Sequence, residues 1–182
     1  MSVSLIVILA IVAAIVLYII STQRTLVSLD EFCKNALSQI GVQLTSRWDL
    51  VSALVKLIEK YSKYEHDTLV EVIAQRRGAQ PPTTAEQINK QESAIADVLG
   101  RINIVSERYP ELKASEIYQS TMASMNEYEE KVRKSRMVYN DSVTKMNRMV
   151  RQFPSSLVAA LLHFGLREYL EVEDKKKDYP QI

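Results

Sequence analysis

The apolar positions of this chain follow two patterns, first a continuous run and then a helical repeat. Residues 3–20 read VSLIVILAIVAAIVLYII and contain no charged residue, proline or glycine. As a helix this run is ~27 Å long, close to the ~30 Å hydrocarbon thickness of a bilayer. From Leu26 onward, apolar residues recur every three or four positions, which is the spacing of amphipathic helices. The pattern predicts a transmembrane helix followed by a helical body in water.

Three interpretations of the first run compete: a retained anchor, a cleavable signal peptide and a buried helix. A signal peptide carries basic residues ahead of its apolar run and small residues at its cleavage site, and neither Met1-Ser2 nor residues 18–21 fit. Buried helices more often have about 10 to 14 consecutive apolar residues. We therefore predict a retained anchor over residues 1–21. Its predicted membrane-spanning side chains are Val3, Leu5, Ile6, Ile8, Leu9, Ile11, Val16, Leu17, Tyr18 and Ile20.

The charges that flank the run indicate its orientation. No Lys or Arg precedes it, whereas Arg24 and Lys34 follow it. By the positive-inside rule, the body then lies in the cytoplasm, behind a single span.

The first stretch of the body predicts one long amphipathic helix. Its core row has seven-residue spacing, and Gly41 is too isolated to end it. The row is Leu26, Cys33, Ile40, Arg47, Leu54 and Tyr61. Ser62 and Glu65 have the spacing of a capping box, so we favour a turn there over one uninterrupted rod. The helical pattern ends by Gly78, ahead of the linker Pro81–Thr84.

Two further long helices follow the linker. Thr84 and Gln87 form a second capping box, and the helix they begin ends at Tyr109-Pro110. The last long helix extends from about Ser115 to Gln152, with a heptad row that indicates shallow packing along a bundle. This row is Tyr118, Met125, Val132, Tyr139, Met146 and Phe153. The predicted fold is all-α: the anchor (1–21), an antiparallel up-and-down four-helix bundle (22–170) and a charged, solvated tail (171–182).

A short apolar segment follows Phe153-Pro154. One interpretation is a helix that closes the base of the bundle, and the other is an amphipathic segment on the lipid surface. The residues predicted to contact lipid in the second case are Leu157, Leu161, Leu162 and Phe164.

Polar residues interrupt the apolar stripes of the first and last long helices. If the two helices are antiparallel, Arg47 comes within reach of Glu129, and Gln43 is level with Arg136. We predict a buried polar layer that specifies register rather than stability. The alternative is that these long side chains extend outward from the edge of the stripe.

Composition and motifs indicate no catalytic, cofactor or metal site. The two histidines, His66 and His163, are far apart in sequence, and the glycines are isolated. The lone Cys33 fits a small core residue better than a nucleophile. A net charge of +1 gives no broad footprint for nucleic acid.

The combined motifs resemble the LemA family of bacterial membrane proteins. The residues that carry the resemblance include Ser38-Gln39-Ile40, Val42-Gln43-Leu44, Arg47, Tyr61, Glu65, Tyr109-Pro110-Glu111-Leu112-Lys113-Ala114, Tyr139-Asn140, Asn147, Phe153-Pro154, Phe164-Gly165 and Tyr169. The chain departs from the family pattern at Gln23-Arg24 and at Val51-Ser52-Ala53. The resemblance implies a four-helix bundle behind one span. Some members are associated with magnetosome-membrane formation, and others resemble lipoproteins outside the inner membrane.

These observations favour a non-enzymatic scaffold that self-associates in the membrane and organises or remodels it. Its expected partners are membrane lipid, further copies of the chain and other membrane proteins. The alternative is a binding module that presents the bundle to a peptide or membrane protein. A hydrolase or metal enzyme is a third hypothesis, but the residue sets that such sites need are absent from the sequence.

Overall fold

The computed structural model describes residues 3–76, 82 and 84–170, and every regular element within these ranges is an α-helix. The predicted all-α class is therefore confirmed. Of the predicted linker only Pro82 and Thr84 are described, and the predicted tail 171–182 lies outside the described residues. The helices are α1 (Val3–Ile58), α2 (Lys63–Arg76), α3 (Ala85–Arg108), α4 (Pro110–Ala114), α5 (Glu116–Arg151) and α6 (Ser155–Leu161).

The first helix continues without a break from the apolar run into the amphipathic stretch. It has 56 residues, and Gly41 lies buried within it. After Ile58 the chain turns, and Ser62 Oγ accepts a hydrogen bond of 3.3 Å from the amide of Glu65 at the start of α2. The predicted turn is confirmed, and the uninterrupted rod is not formed.

Local capping chemistry sets the other helix boundaries. Thr84 Oγ1 accepts a hydrogen bond of 3.2 Å from the Gln87 amide and begins α3, as predicted. Helix α3 ends at Arg108, ahead of Pro110, which opens the short helix α4. Ser115 Oγ accepts from the amide of Tyr118 at 3.2 Å and caps α5. The sequence did not predict α4 as a separate element.

The described chain divides into two compact units. The first combines the residues up to Asn35 with Tyr139–Tyr169, and the second combines Ala36–Val138 with Leu170. The domain boundaries predicted at residues 21 and 170 stay predictions.

Within the first unit, α1 and α5 are antiparallel. Tyr18–Thr25 lie beside Met149–Ser155, whereas Cys33 lies close to Tyr139. The buried residues are Thr22, Leu26, Cys33, Tyr139, Val143, Met146, Asn147, Ser155, Val158 and Ala159. Phe153 corrects the predicted heptad row, since its side chain is 75% exposed. Helix α5 ends at Arg151, so Phe153 no longer follows the helical repeat.

The second unit has a core drawn from five helices. Both predicted rows contribute: Ile40, Arg47 and Leu54 of α1 are buried, and so are Tyr118, Met125 and Val132 of α5. Helix α3 adds a row with the same spacing, α2 packs against α3, and α4 adds Leu112. The largest fully buried side chains of these helices are Ile40, Leu44, Leu54, Ile58, Ile88, Ile95, Ile102, Leu112 and Met125.

Candidate functional site

A cluster of charged side chains lies inside the second unit, and we call it the polar layer: Arg47, Asn89, Glu92, Glu129 and Arg136. Arg47 of α1 reaches Glu92 of α3 at 3.9 Å and Glu129 of α5 at 3.6 Å. Arg136 Nη2 lies 2.5 Å from Glu92 Oε2 and donates to Asn89 Oδ1, also at 2.5 Å. The polar layer therefore joins three helices through two arginines and one shared carboxylate.

The two arginines of the polar layer differ in how closely their guanidinium nitrogens approach acceptor oxygens. Both nitrogen–oxygen distances of Arg47 exceed hydrogen-bond length, and burial lowers the pKa of its guanidinium, against the opposing effect of Glu129 and Glu92. Arg136 instead makes short, charge-assisted contacts. Among the described residues, the Nε atoms of both arginines and Trp48 Nε1 are buried without a hydrogen-bond partner, and Glu92 Oε2 meets Arg136 as an ion pair that lies outside hydrogen-bond geometry. The polar layer thus carries a desolvation cost, mainly at Arg47.

The structure brings together some of the predicted polar residues. Arg47 and Glu129 meet, and both arginines point inward rather than to solvent. Gln43 and Arg136 do not pair, since Arg136 contacts α3 and Gln43 Oε1 accepts no hydrogen bond within the described part of the chain. Asn89 and Glu92 were not predicted from the sequence. Glu92 could have been recognised there as a carboxylate between Ile88 and Ile95, on the apolar side of α3.

The first unit contains a second cluster, in which the chain after α6 is held against α5. We call the residues 164–169 the strap. Asn147 donates through Nδ2 to the carbonyl of Arg167 at 2.9 Å and accepts from its amide at 2.8 Å. The hydroxyl of Tyr139 donates to the Glu168 carbonyl at 3.0 Å. Three backbone groups of the strap are therefore satisfied by side chains of α5.

An ion-pair group ties the strap to α1. Arg167 pairs with Asp30, and Lys34 lies 2.8 Å from the same carboxylate. Burial alone would raise the pKa of Asp30, but its bonds to Lys34 and Arg167 bring that pKa below the ordinary value. Burial raises the pKa values of the nearby Cys33 thiol and the Tyr139 hydroxyl. Cys33 is therefore held as a neutral thiol in the core, with little nucleophilic character.

The short helix α6 lies beside the end of the apolar run. The carbonyls of Met149 and Gln152 both lie 2.8 Å from Ser155 Oγ and share its single hydroxyl hydrogen, which joins α6 to the end of α5. A shallow groove lies between this junction and α1, lined by Tyr18, Ser21, Thr22 and Thr25 and by 149, 152–155. Val158 and Ala159 are buried on one face of α6, whereas Leu157 and Leu161 are 64% and 69% exposed on the other. Of the other predicted lipid contacts, Leu162 is exposed and Phe164 is half-buried.

Helix α6 ends in a C-cap motif whose left-handed position is usually occupied by glycine. The amide of Phe164 donates to the Ala159 carbonyl at 2.9 Å, and that of His163 donates to Ala160 at 3.2 Å. These two bonds form a Schellman motif. His163 occupies its left-handed position, with φ of 60°.

The predicted anchor residues present their side chains outward. Every large apolar side chain from Val3 to Ile20 except Ile19 is exposed. In the described part of the chain, α1 is the helix long and apolar enough to cross a membrane. An exposed run of this kind is consistent with membrane anchoring.

The described residues contain no group of three or more His, Cys, Asp or Glu side chains with the geometry for a metal ion. His66 contacts Asp67 and Glu59 at the surface, and His163 belongs to the α6 stop described above.

Comparison with known proteins identifies relatives of this chain. The model of the LemA family matches residues 36–182. Magnetosome proteins MamQ 1 and MamQ 2 of Paramagnetospirillum magneticum are each 24% identical over 197 residues, which cover 94% of this chain and 72% of each relative. Magnetosome protein MamQ of Magnetospirillum gryphiswaldense is 23% identical over 182 residues, covering 86% of this chain and 66% of that protein. Since the family model matches most of the residues, this chain belongs to the LemA family.

Proposed function

We propose that the chain is a non-catalytic scaffold, anchored in a bacterial inner membrane by a single span, that self-associates and organises or remodels the bilayer. The observation that carries the proposal is the continuity of α1. Its exposed apolar run extends without interruption into the buried core from Leu26 onward. A helix of this kind attaches the body directly to lipid, which suits a protein that acts on membrane shape or membrane neighbours.

The proposed body is an antiparallel up-and-down four-helix bundle. Its support is the antiparallel pairing of α1 and α5 in the first unit and, in the second, the convergence of α1, α3 and α5 on the polar layer. A polar cluster shared by three helices disfavours shifted registers, because each shift would leave buried charge unpaired. The magnetosome relatives add support for a role at a membrane-bound structure.

Self-association is the property of this scaffold that is most directly measurable. The proposed contacts are made between spans, where Ala10, Ala13 and Ala14 allow close approach, and along α5, where Met137 and Val138 are exposed. The test is the mass of the full chain in lipid nanodiscs wide enough for several copies, measured by native mass spectrometry. Assemblies larger than one copy are expected, and Met137→Ser/Val138→Ser should shift them towards the monomer. A particle with the mass of one copy at all protein-to-lipid ratios overturns the scaffold proposal.

We also propose that the body lies on the cytoplasmic side, on the basis of Arg24 and Lys34 after the span. Fusion of alkaline phosphatase or green fluorescent protein to the C-terminus tests the orientation. Fluorescence without phosphatase activity is expected, and the reverse result places the body outside.

A binding module is the second candidate, favoured by one exposed apolar pair in the second unit. Ile104 and Ile117 are both exposed, and each is next in sequence to a member of the hydrogen bond between Asn103 and Tyr118. Photo-crosslinking from Ile104 in native membranes tests this role. Cross-links to one other protein species favour the module, whereas cross-links only to the same chain favour the scaffold.

A further inference from the structure

Helix α6 presents an apolar face that the part of the chain described by the structure leaves uncovered. Leu157 and Leu161 lie one turn apart on α6 and are both exposed, and Phe153, just before the helix, is exposed as well. The opposite face is packed through Val158 and Ala159. The segment is therefore held in place by one face while the other remains available to an apolar environment.

The position of this face relative to the apolar run identifies that environment. The groove beside the start of α6 is lined by Tyr18, at the end of the run, and by Thr25. Thr25 is five residues past Ile20, or ~7.5 Å along the helix. The headgroup layer on each side of the hydrocarbon is of similar depth, about 5–8 Å. The junction of α5 and α6 is thus level with the boundary between acyl chains and headgroups.

The charges around α6 fit an anionic lipid surface. From residue 142 to 166 the chain contains no Asp or Glu, but it contains Lys145, Arg148 and Arg151, whose side chains are exposed. An apolar face next to exposed cations is the pattern of helices that lie in the headgroup layer of anionic membranes. A contact with a second copy would explain the leucines, but it would not explain this one-signed charge.

We propose that α6 is a second membrane contact, which lies in the headgroup layer of the bilayer that α1 spans and inserts Phe153, Leu157 and Leu161 among the acyl chains. The inference rests on the proposed anchoring of α1. It deepens the proposed function, because a segment inserted into one leaflet takes up area in that leaflet and none in the opposite leaflet. The scaffold would then expand the leaflet on its own side of the membrane.

The test uses the full chain in vesicles of phosphatidylcholine and phosphatidylglycerol, with part of the phosphatidylcholine brominated on its acyl chains. Bromine quenches tryptophan emission only at close range, so a single introduced tryptophan reports contact with acyl chains. The buried Trp48 of the parent chain supplies the background. The test variants are Leu157→Trp and Leu161→Trp. Tyr18→Trp is the positive control, and Phe32→Trp is the matched negative control, since Phe32 is an exposed residue of α1 ~15 Å beyond Thr22.

The outcomes separate the inference from the anchoring. We expect emission from tryptophan at 157, 161 and 18 to fall as brominated lipid is added, while emission at 32 stays at the level seen without bromine. If emission falls for the tryptophan at position 18 but not for those at 157 and 161, the α6 contact is overturned and the anchoring of α1 stands. Blue-shifted but unquenched emission at 157 shows cover by protein, which also overturns it. Unquenched emission at 18 overturns the anchoring itself.

Discussion

The contacts of the polar layer predict which of two arginine substitutions lowers the free energy of unfolding more, and the sequence alone would not predict this order. We compare Arg47→Met with Arg136→Met, since methionine retains much of the buried volume and removes the charge. In the parent chain Glu92 is close to both arginines, but only Arg136 is within hydrogen-bonding distance of it. Glu129, the other partner of Arg47, is 56% exposed, whereas the Glu92 side chain is 19% exposed.

The expected change in the free energy of unfolding depends on which carboxylate loses its arginine in each variant. After Arg47→Met, Glu92 keeps its contact with Arg136, Glu129 is hydrated, and the desolvation cost of the Arg47 guanidinium is removed. We expect the free energy of unfolding to change by less than about 1 kcal/mol, in either direction. After Arg136→Met, Glu92 loses its contact of 2.5 Å, and the other arginine, Arg47, is 3.9 Å away. A loss of about 3 kcal/mol is expected when a largely buried carboxylate loses so short a contact with a cation.

The assay is urea unfolding of the full chain in mild detergent, followed by circular dichroism at 222 nm and analysed with a common slope. Arg133→Met is the matched control, because Arg133 lies on the same helix and makes an ion pair with Glu130 at the surface. It should stay within about 0.5 kcal/mol of the parent. A loss for Arg47→Met equal to or larger than that for Arg136→Met would refute this account of the polar layer.

Three further predictions concern the first unit. Asn147→Ala should lower the free energy of unfolding by about 2 kcal/mol, because two hydrogen bonds to Arg167 are lost, and it should accelerate hydrogen exchange of the Arg167 amide. Asn147→Asp retains the acceptor for that amide, so unchanged exchange in Asn147→Ala, or equal acceleration in both variants, would contradict this account. His163→Gly should raise the free energy of unfolding by about 1 kcal/mol, because glycine adopts the left-handed stop of α6 without the strain of a Cβ; a loss of stability on urea unfolding would show that the imidazole makes a compensating contact. The lowered pKa of Asp30 means that its ion pairs stabilise the fold above its ordinary pKa of about 3.9 and that this contribution disappears as pH falls through the lower folded pKa. The difference in stability between the parent and Asp30→Asn should therefore be constant near neutral pH and shrink below about pH 4, and a difference that grows on acidification would reverse the assigned sign.

Helix type and most helix boundaries could be predicted from the sequence because their causes are local. Ser62 and Thr84 cap the helices that they were predicted to cap, and Pro110 follows the end of α3. The long helix at the start of the body was predicted for the same reason, since no proline occurs between Ile20 and Ile58.

The parts that were not predicted depend on contacts distant in sequence. The choice of Glu92 rather than Gln43 as the partner of Arg136 depends on how three helices are rotated against one another, which periodicity does not specify. The pair of Asp30 and Arg167 joins residues 137 positions apart. Phe153 left its predicted row because the helix ended two residues earlier.

The short distance between the apolar run and the first fully buried residue of α1 has a mechanical consequence. Leu26 is fully buried and only six residues past Ile20, or ~9 Å along the helix. Once inserted, the first unit does not swing about a flexible stalk. Two anchored neighbours would therefore approach each other by lateral diffusion and by rotation about their own anchors, at nearly constant height. Such encounters are confined to two dimensions, so modest side-to-side affinity would suffice to build ordered patches at ordinary surface densities.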